Sequence, residues 1–265
     1  MLKINDLQEI VISASDIIKK YFYEEVKVNY KEDKTPVTIA DEETNDYLRE
    51  NLLKLIPDVG WLSEEDKDNE DRLKKEYVWI VDPLDGTQGF VNKEPELSVS
   101  VALVKNGLPV ASAVYNPITQ QGGFWNSFKD EINFIGFNSK SDSQDLKSSK
   151  ILVSRSEFKH KKVDDFIKIF SEIKPLGSVA HKLMKIAGGE CDFYYSVHPK
   201  SEWDIAGGIG LLFATGKDFE RFDKEKIIFN KKEPVINSGS VAGNKILIKE
   251  FFDNYNYLAK TVFRK

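Results

Sequence analysis

Cysteine is nearly missing from this chain: Cys191 stands alone among 265 residues. One thiol excludes an internal disulfide framework and a cysteine-rich zinc site, and a single free cysteine reads as a small buried apolar residue. Histidine is scarce too. His160, His181 and His198 are too few and too scattered for a histidine-based centre, and His160 sits in the basic stretch "EFKHKK". The chain also lacks a basic surplus; its formal charge of -5 argues against a general nucleic-acid binder. No run of about 18 apolar residues is present for a membrane span. "MLKINDLQEIVISASDIIKK" has no unbroken apolar core of the signal-peptide kind, so the expectation is a soluble, cytoplasmic protein with no membrane partner. Internal repeats and long low-complexity segments are absent as well.

What is present suits a real core: 41% of residues are hydrophobic and 31% charged, enough for one large domain or two small ones. Leu7, Ile10, Val11, Ala14, Ile17, Ile18, Tyr21 and Phe22 recur at helical spacing and predict a helix over 4–24. "KVNYKEDKTPVT" reads as an extended loop. A second helix is expected over 39–55, with Ala40, Thr44, Tyr47, Leu48 and Leu52 on one face. A short strand then enters an acidic loop in "IPDVGWLSEEDKDNEDRLKK". Strands follow at Tyr77–Val81, at Leu97–Val104, in "GLPVASAVYNP" and in "GGFWNS", an antiparallel meander with hairpin chemistry at "KNG". The Ser-rich stretch 137–150 reads as a connection, giving an N-terminal lobe over 1–140 and a C-terminal lobe over 150–265. In the second lobe we expect strand 151–153, helix 159–172, strand 174–177, helix 178–189 and strand 191–195. A helix of small and apolar residues from Trp203 to Ala214 and one in "KILIKEFFDNYNYLAK" complete it. Helices mixed with mostly antiparallel strands argue for an α+β fold in stacked layers.

Candidate chemistry concentrates in "WIVDPLDGTQGF". The apolar strand is expected to stop at Asp82, because Pro83 cannot donate to a ladder. Asp82 and Asp85 can then converge from a tight turn, with Gly86 and Thr87 opening a helix whose free N–H groups suit an anion. Carboxylates beside a phosphate cradle repel their ligand unless a divalent cation lies between, and Mg²⁺ does this. Taken alone, the segment reads equally well as a helix-capping turn. Three further places weigh against that: Glu64 and Glu65 end the strand in "WLSEED", Asp41 starts a helix in "VTIADEETN", and Asp204 heads one in "SEWDIAGG". Asp41, Glu64, Asp82, Asp85 and Asp204 together supply oxygen donors for two or three hard cations.

"DPLDGTQGF" with "SEWDIAGG" farther on resembles the paired signatures of the inositol monophosphatase superfamily, Mg²⁺-dependent and lithium-sensitive phosphomonoesterases. "VTIAD", "LSEED" and Gly177-Ser178 join the resemblance, in the expected order and over nearly the whole chain. It implies a layered α-β-α-β-α sandwich, commonly dimeric. It also implies roles: Glu64, Asp82 and the Leu84 carbonyl for one metal, Asp82, Asp85 and Asp204 for a second, and Glu64 with Glu65 for a weaker third. Thr87 would position the attacking water with Asp41 accepting its proton, and the Gly86 and Thr87 N–H groups would bind phosphate.

Two branches compete for the substrate, a small phosphate ester. "DKTPVTIAD", "LSEED", "ELSVSVALV" and "SEWDIA" look more like the 3'(2'),5'-bisphosphate nucleotidases, which act on adenosine 3',5'-bisphosphate. The position where inositol monophosphatases place a sugar-binding glutamate is Val197. Against this, Gly207-Gly208 is more like the inositol enzymes, and "GSVAHK" puts His181 where nucleotidases often carry a lysine, with Lys182 next. Inositol monophosphate or fructose 1,6-bisphosphate therefore stay open as alternatives. Gly177, Ser178, His181, Lys182, His198 and Lys200 are the candidate substrate contacts, although the histidines and lysines read as readily as ordinary exposed side chains. A regulatory, RNA-associated scaffold is the non-enzyme rival, disfavoured because every metal acid is retained. A calcium module fails because the acids are spread along the chain and not gathered in one loop.

Overall fold

The computed structural model describes residues 2–31, 34–138, 141–159 and 164–262; His160 lies outside them. Leu7, Val11, Ala14 and Ile18 line one side of α1 (Ile4–Phe22) and are fully buried. They pack with Ala40, Leu48 and Leu52 of α2 (Ile39–Leu55). The segment between these helices, expected to be a loop, carries a small antiparallel ribbon of β1 (Val28–Tyr30) and β2 (Pro36–Thr38). Strands this short and this exposed leave no alternation to read.

β3 (Gly60–Ser63), β4 (Tyr77–Asp85), β5 (Ser98–Lys105), β6 (Leu108–Asn116), β7 (Gln121–Asn126) and β8 (Glu131–Ile135) form one six-stranded sheet in that order. β3 and β4 run parallel and the other neighbours antiparallel. The expected end of β4 at Asp82 is corrected here. Asp82 pairs with Ser100 and Asp85 with Ser98, so the strand bulges through Pro83 and Leu84 and then re-pairs. A bulge lets proline sit in a strand without owing the ladder a hydrogen bond. The short helix α3 (Thr87–Val91) follows at once.

The second sheet combines β9 (Lys150–Ser154), β10 (Glu172–Leu176), β11 (Phe193–Ser196), β13 (Asp218–Arg221) and β15 (Ser240–Gly243), in the order β10-β9-β11-β15-β13. β12 (Lys200–Ser201) and β14 (Val235–Ile236) make a separate two-residue ladder. Among the described residues the long helix expected over 159–172 does not appear; 160–163 lie outside them. In its place stand α4 (Arg155–Lys159), a 3-10 turn at Asp164–Lys168 that buries Phe166, and the start of β10. Strands β12 to β15 were not anticipated, because two to four residues give periodicity too little length to register.

α5 (Val179–Ala187) and α6 (Glu202–Ala214) lie between the two sheets, α1 and α2 cover the outer face of the first, and α7 (Lys245–Tyr255) packs on the second. The order of layers is the α-β-α-β-α sandwich expected above. Among the described residues no helix is long and apolar enough to cross a membrane. α6 owes its close seat on the first sheet to small residues: a Cβ at Gly210 would collide with the Ser112 hydroxyl of β6. Gly210→Ala is expected to cost about 1–3 kcal/mol of unfolding free energy by overpacking. Combining it with Ser112→Ala should restore part of that loss, since the Ser112 Cβ would still stand 2.9 Å from the new methyl, as read from denaturant midpoints.

Candidate active site

Four element ends converge on one spot. The amide of Glu64, just past β3, donates to the Val81 carbonyl at 3.2 Å, which sets Glu64 beside Asp82 of the neighbouring strand. The bulge presents Asp82, whose Oδ1 accepts the Leu84 amide at 3.0 Å. Asp204 occupies the first turn of α6, where its Oδ2 accepts the Ser201 amide at 3.0 Å in a capping box. Oxygens of Glu64, Asp82 and Asp204 lie within 4.8 Å of one another. Asp85 stands next to this triad, outside it. Its Oδ2 accepts both the Ser178 hydroxyl and the Ala180 amide at 2.6 Å, which ties it to the start of α5.

The electrostatics follow from this crowding. Burial pushes the Asp82 carboxyl well above the usual range, reinforced by Glu64, Asp85, Asp204 and Glu65. Asp204 is pushed up to about 8 by burial and by Asp85 and Glu64, with Lys200 and the Ser201 amide opposing. Burial raises Asp85 as well, against its bonds from Ser178 and Ala180 and the charge of Lys182. Lys31, which sequence reasoning missed, donates to Glu64 at 2.9 Å and Glu65 at 2.7 Å. Burial lifts Glu65 to about 7 in spite of that lysine. Oxygen-only donors at this spacing, with protonation forced upward by mutual repulsion, fit a hard divalent cation.

Beside the acids, Asp41 is buried in the first turn of α2. Its Oδ2 takes the amide and hydroxyl of Thr38, at 2.8 and 2.7 Å, and its Oδ1 faces the Thr87 hydroxyl at 2.9 Å. That hydroxyl is also 3.1 Å from the Leu84 carbonyl. Burial raises the Asp41 carboxyl, offset by Thr38 and Thr87. Gly86 caps α3 at φ 104, a left-handed conformation that only glycine adopts cheaply. A Cβ there would meet the Glu96 carbonyl at 3.1 Å, and one on Gly177 would meet the same oxygen at 2.9 Å.

A cleft of about 640 Å³ opens from Asp85 and Gly86 toward the second sheet. Gly177, Ser178, Lys182, His198 and Lys200 line it. His181 does not, which corrects its expected substrate contact. One helical step from Lys182, it turns into the core, fully buried, with Nδ1 3.5 Å from the Asn116 amide. Arg155 reaches across from α4 to Glu94, at 2.5 Å, and to Glu96. Neither this bridge nor Lys31 has a sequence signal, since single charges in loops carry no period. Glu157 did have one. "SRSE" is a capping-box pattern, and Ser154 donates to Glu157 Oε2 through its hydroxyl at 2.7 Å and its amide at 3.1 Å.

The raised carboxyls fix a sign for stability against pH. Asp204 ordinarily titrates near 3.8 and here near 8, so it favours the fold while protonated, and that advantage disappears as pH climbs through this window. Metal-stripped protein should therefore melt at lower temperature at about pH 8.5 than at about pH 5.5. Added Mg²⁺ should raise the melting temperature more at the higher pH, as followed by circular dichroism.

Comparison with known proteins places this geometry. The model of the inositol monophosphatase family matches residues 4–252. The 3'(2'),5'-bisphosphate nucleotidase CysQ of Haemophilus influenzae is 31% identical over 242 residues, covering 88% of this chain and 90% of that protein. The protein of the same name from Aggregatibacter actinomycetemcomitans is 31% identical over 251 residues, 91% of this chain and 92% of its own. Among solved structures, the extragenic suppressor protein suhB of Bartonella henselae superposes with a TM-score of 0.78 at 24% identity, covering 97% of both chains, a likeness of fold. The convergent acids, the layered sandwich and a match along nearly all its length mark this chain as a member of the inositol monophosphatase family, a phosphoric monoester hydrolase whose curated relatives at about 30% identity bear the bisphosphate nucleotidase name.

Proposed function

We propose that this protein is a Mg²⁺-dependent, lithium-sensitive phosphomonoesterase that removes the 3'-phosphate of adenosine 3',5'-bisphosphate. The observation that carries the chemistry is the triad Glu64, Asp82 and Asp204, with oxygens within 4.8 Å and Asp85 alongside. Glu64, Asp82 and the Leu84 carbonyl would hold one cation, and Asp82, Asp85 and Asp204 a second. Glu64 and Glu65 would serve a weaker third. When bound, such cations acidify water and offset charge on the phosphoryl group and on the leaving oxygen.

The chain's own residues do the rest. The Thr87 hydroxyl, donating to Asp41 Oδ1 at 2.9 Å, can accept a hydrogen bond from the attacking water. The proton then passes through Thr87 to Asp41, whose carboxyl burial has raised toward the range of a working base. The Gly86 and Thr87 N–H groups, at the start of α3, would hold phosphate oxygens. No covalent intermediate with the protein is needed.

For the substrate, the nucleotidase relatives support a nucleotide. The site where an inositol-binding glutamate would stand supports it too. Val197 is buried there, and its amide donates at 2.8 Å to Glu157. Glu157 cannot stand in for that glutamate toward sugar hydroxyls. Its two oxygens already accept from the Ser154 amide and hydroxyl, the Ser196 hydroxyl and the Val197 amide. We further infer a homodimer, as the family resemblance implies, and a cytoplasmic location.

Asp82→Asn and Asp204→Asn are expected to lower Mg²⁺-dependent phosphate release by about 10³-fold or more. At about pH 8.5, where Asp204 is ionised, each should keep or raise the melting temperature of metal-free protein, because there each removes a repelling charge. Near-normal turnover in either variant would refute the ligand assignment. Thr87→Ala should reduce kcat by about 10²-fold with KM little changed. A phosphate-release panel with and without lithium should rank adenosine 3',5'-bisphosphate above inositol 1-phosphate and fructose 1,6-bisphosphate. A clear preference for inositol 1-phosphate would overturn the nucleotide reading and leave the phosphatase chemistry standing.

A further inference from the structure

Asp204 has to be held against Glu64 and Asp82 although all three are acids, and its capping box with Ser201 ties it only to its own turn. The seat of α6 adds closeness more than grip. Gly207 and Gly210 meet Ser100 and Ser112 of the first sheet without side chains of their own, so no ridge interlocks there to fix the helix along its axis.

The first turn of α6 is gripped from outside by the chain between β13 and β14. Glu202, 1% exposed and two residues before Asp204, accepts the Asn230 amide at 2.6 Å and the Lys231 amide at 3.0 Å. Its own amide donates to the Pro234 carbonyl at 2.9 Å. Arg72 holds the other side of the same turn. It belongs to the 3-10 turn Glu70–Lys74, which lies between β3 and β4, and is 2% exposed. Its guanidinium donates to Asn230 Oδ1 at 2.6 Å and to the Lys231 carbonyl at 3.0 Å. It also grips the Asp68 carboxylate twice, at 2.7 and 2.8 Å. Asn230 stands between Arg72 and Glu202 at φ 61, a left-handed conformation that asparagine tolerates better than most residues. Next to it, the Phe229 amide donates to the Gly107 carbonyl at 2.9 Å, in the turn that joins β5 to β6.

A buried arginine and a buried glutamate are costly unless their bonding groups are filled, and here both are spent on one turn. That turn connects the crossover between the Glu64 and Asp82 strands to the helix that presents Asp204. We propose that Arg72, acting through Asn230, Lys231 and Glu202, is a positioning residue that keeps Asp204 in register with Glu64 and Asp82 and so sets the affinity of the cluster for its divalent cation. This rests on the metal reading above.

The test titrates Mg²⁺ into metal-free, full-length protein by calorimetry, in the wild type, Arg72→Lys, Asn230→Gly and Val11→Ala. The first two variants leave the net charge unchanged, so an altered Mg²⁺ affinity reports position and not a lost field. Lysine keeps the charge but lacks the planar fork that spans Asp68 and the turn. Glycine adopts a positive φ freely, so Asn230→Gly keeps the turn and loses only the side-chain bonds to Arg72; it serves if Arg72→Lys does not fold. Val11 is fully buried under α1, in the outer layer, and its truncation lowers stability without touching α6. Arg72→Lys and Asn230→Gly should each weaken the apparent dissociation constant for Mg²⁺ by about 10-fold. Val11→Ala should leave it unchanged while lowering the denaturant midpoint.

Unaltered Mg²⁺ affinity in Arg72→Lys and Asn230→Gly, or an equal loss in Val11→Ala, would overturn the positioning role and leave the metal reading standing. A wild type that binds no Mg²⁺ would remove the metal reading and this role with it.

Discussion

Like charges that must be held together govern this molecule. Glu64, Asp82, Asp85 and Asp204 repel one another in a buried place, and burial and repulsion together lift the three aspartates out of the ordinary carboxylate range. Such a cluster survives only where the surrounding structure leaves its members no freedom to separate. Each acid sits at the end of an element whose body is firmly packed: β3 and β4 at one side of a hydrophobic sheet, and α6 between two sheets. The layered architecture thus holds apart two tasks, cohesion in the apolar layers and electrostatic tension at their edges. A bound cation converts that tension into affinity, since it neutralises what the fold has already gathered at its own cost.

The same division explains what the sequence revealed. α1, α2, α5 and α6 were legible because each is long enough for a helical period, and β4 to β7 because they are apolar runs closed by turn residues. The clustering of the acids was legible for a related reason: each follows or opens such an element, so the motif and its structural context could be read together. Where the reading failed, length or locality was at fault. Pro83 has a strong local meaning, yet the strand resumes beyond it because Ser98 offers Asp85 a partner that only the folded sheet supplies. The region after β9 lacked a period long enough to tell a helix from a 3-10 turn and a loop. Lys31 and the Arg155 bridge are tertiary contacts between loops, which no spacing encodes. His181 and Lys182 are adjacent in sequence, and only the helix's rotation assigns one to the core and the other to the cleft.

Charge in the cleft is arranged with similar economy. Ser178 adopts a positive φ of 47 and uses one hydroxyl to cap α5 through the His181 amide and to hold Asp85. Asp85 therefore depends for its orientation on a helix that belongs to the opposite wall. The acid at the edge of the carboxylate cluster and the facing wall of the cleft are thus joined through one set of hydrogen bonds.

The Glu96 carbonyl lies against both Gly86 and Gly177, close enough that neither could carry a Cβ without displacement. One peptide oxygen thus acts as the shim between the loop entering α3 and the start of α5. The spacing at this point is set mainly by the thickness of backbone, with the Ser178 Cβ and the Arg155 guanidinium close beside it. A side chain added at either glycine would therefore push the two loops apart before it touched anything inside the cleft.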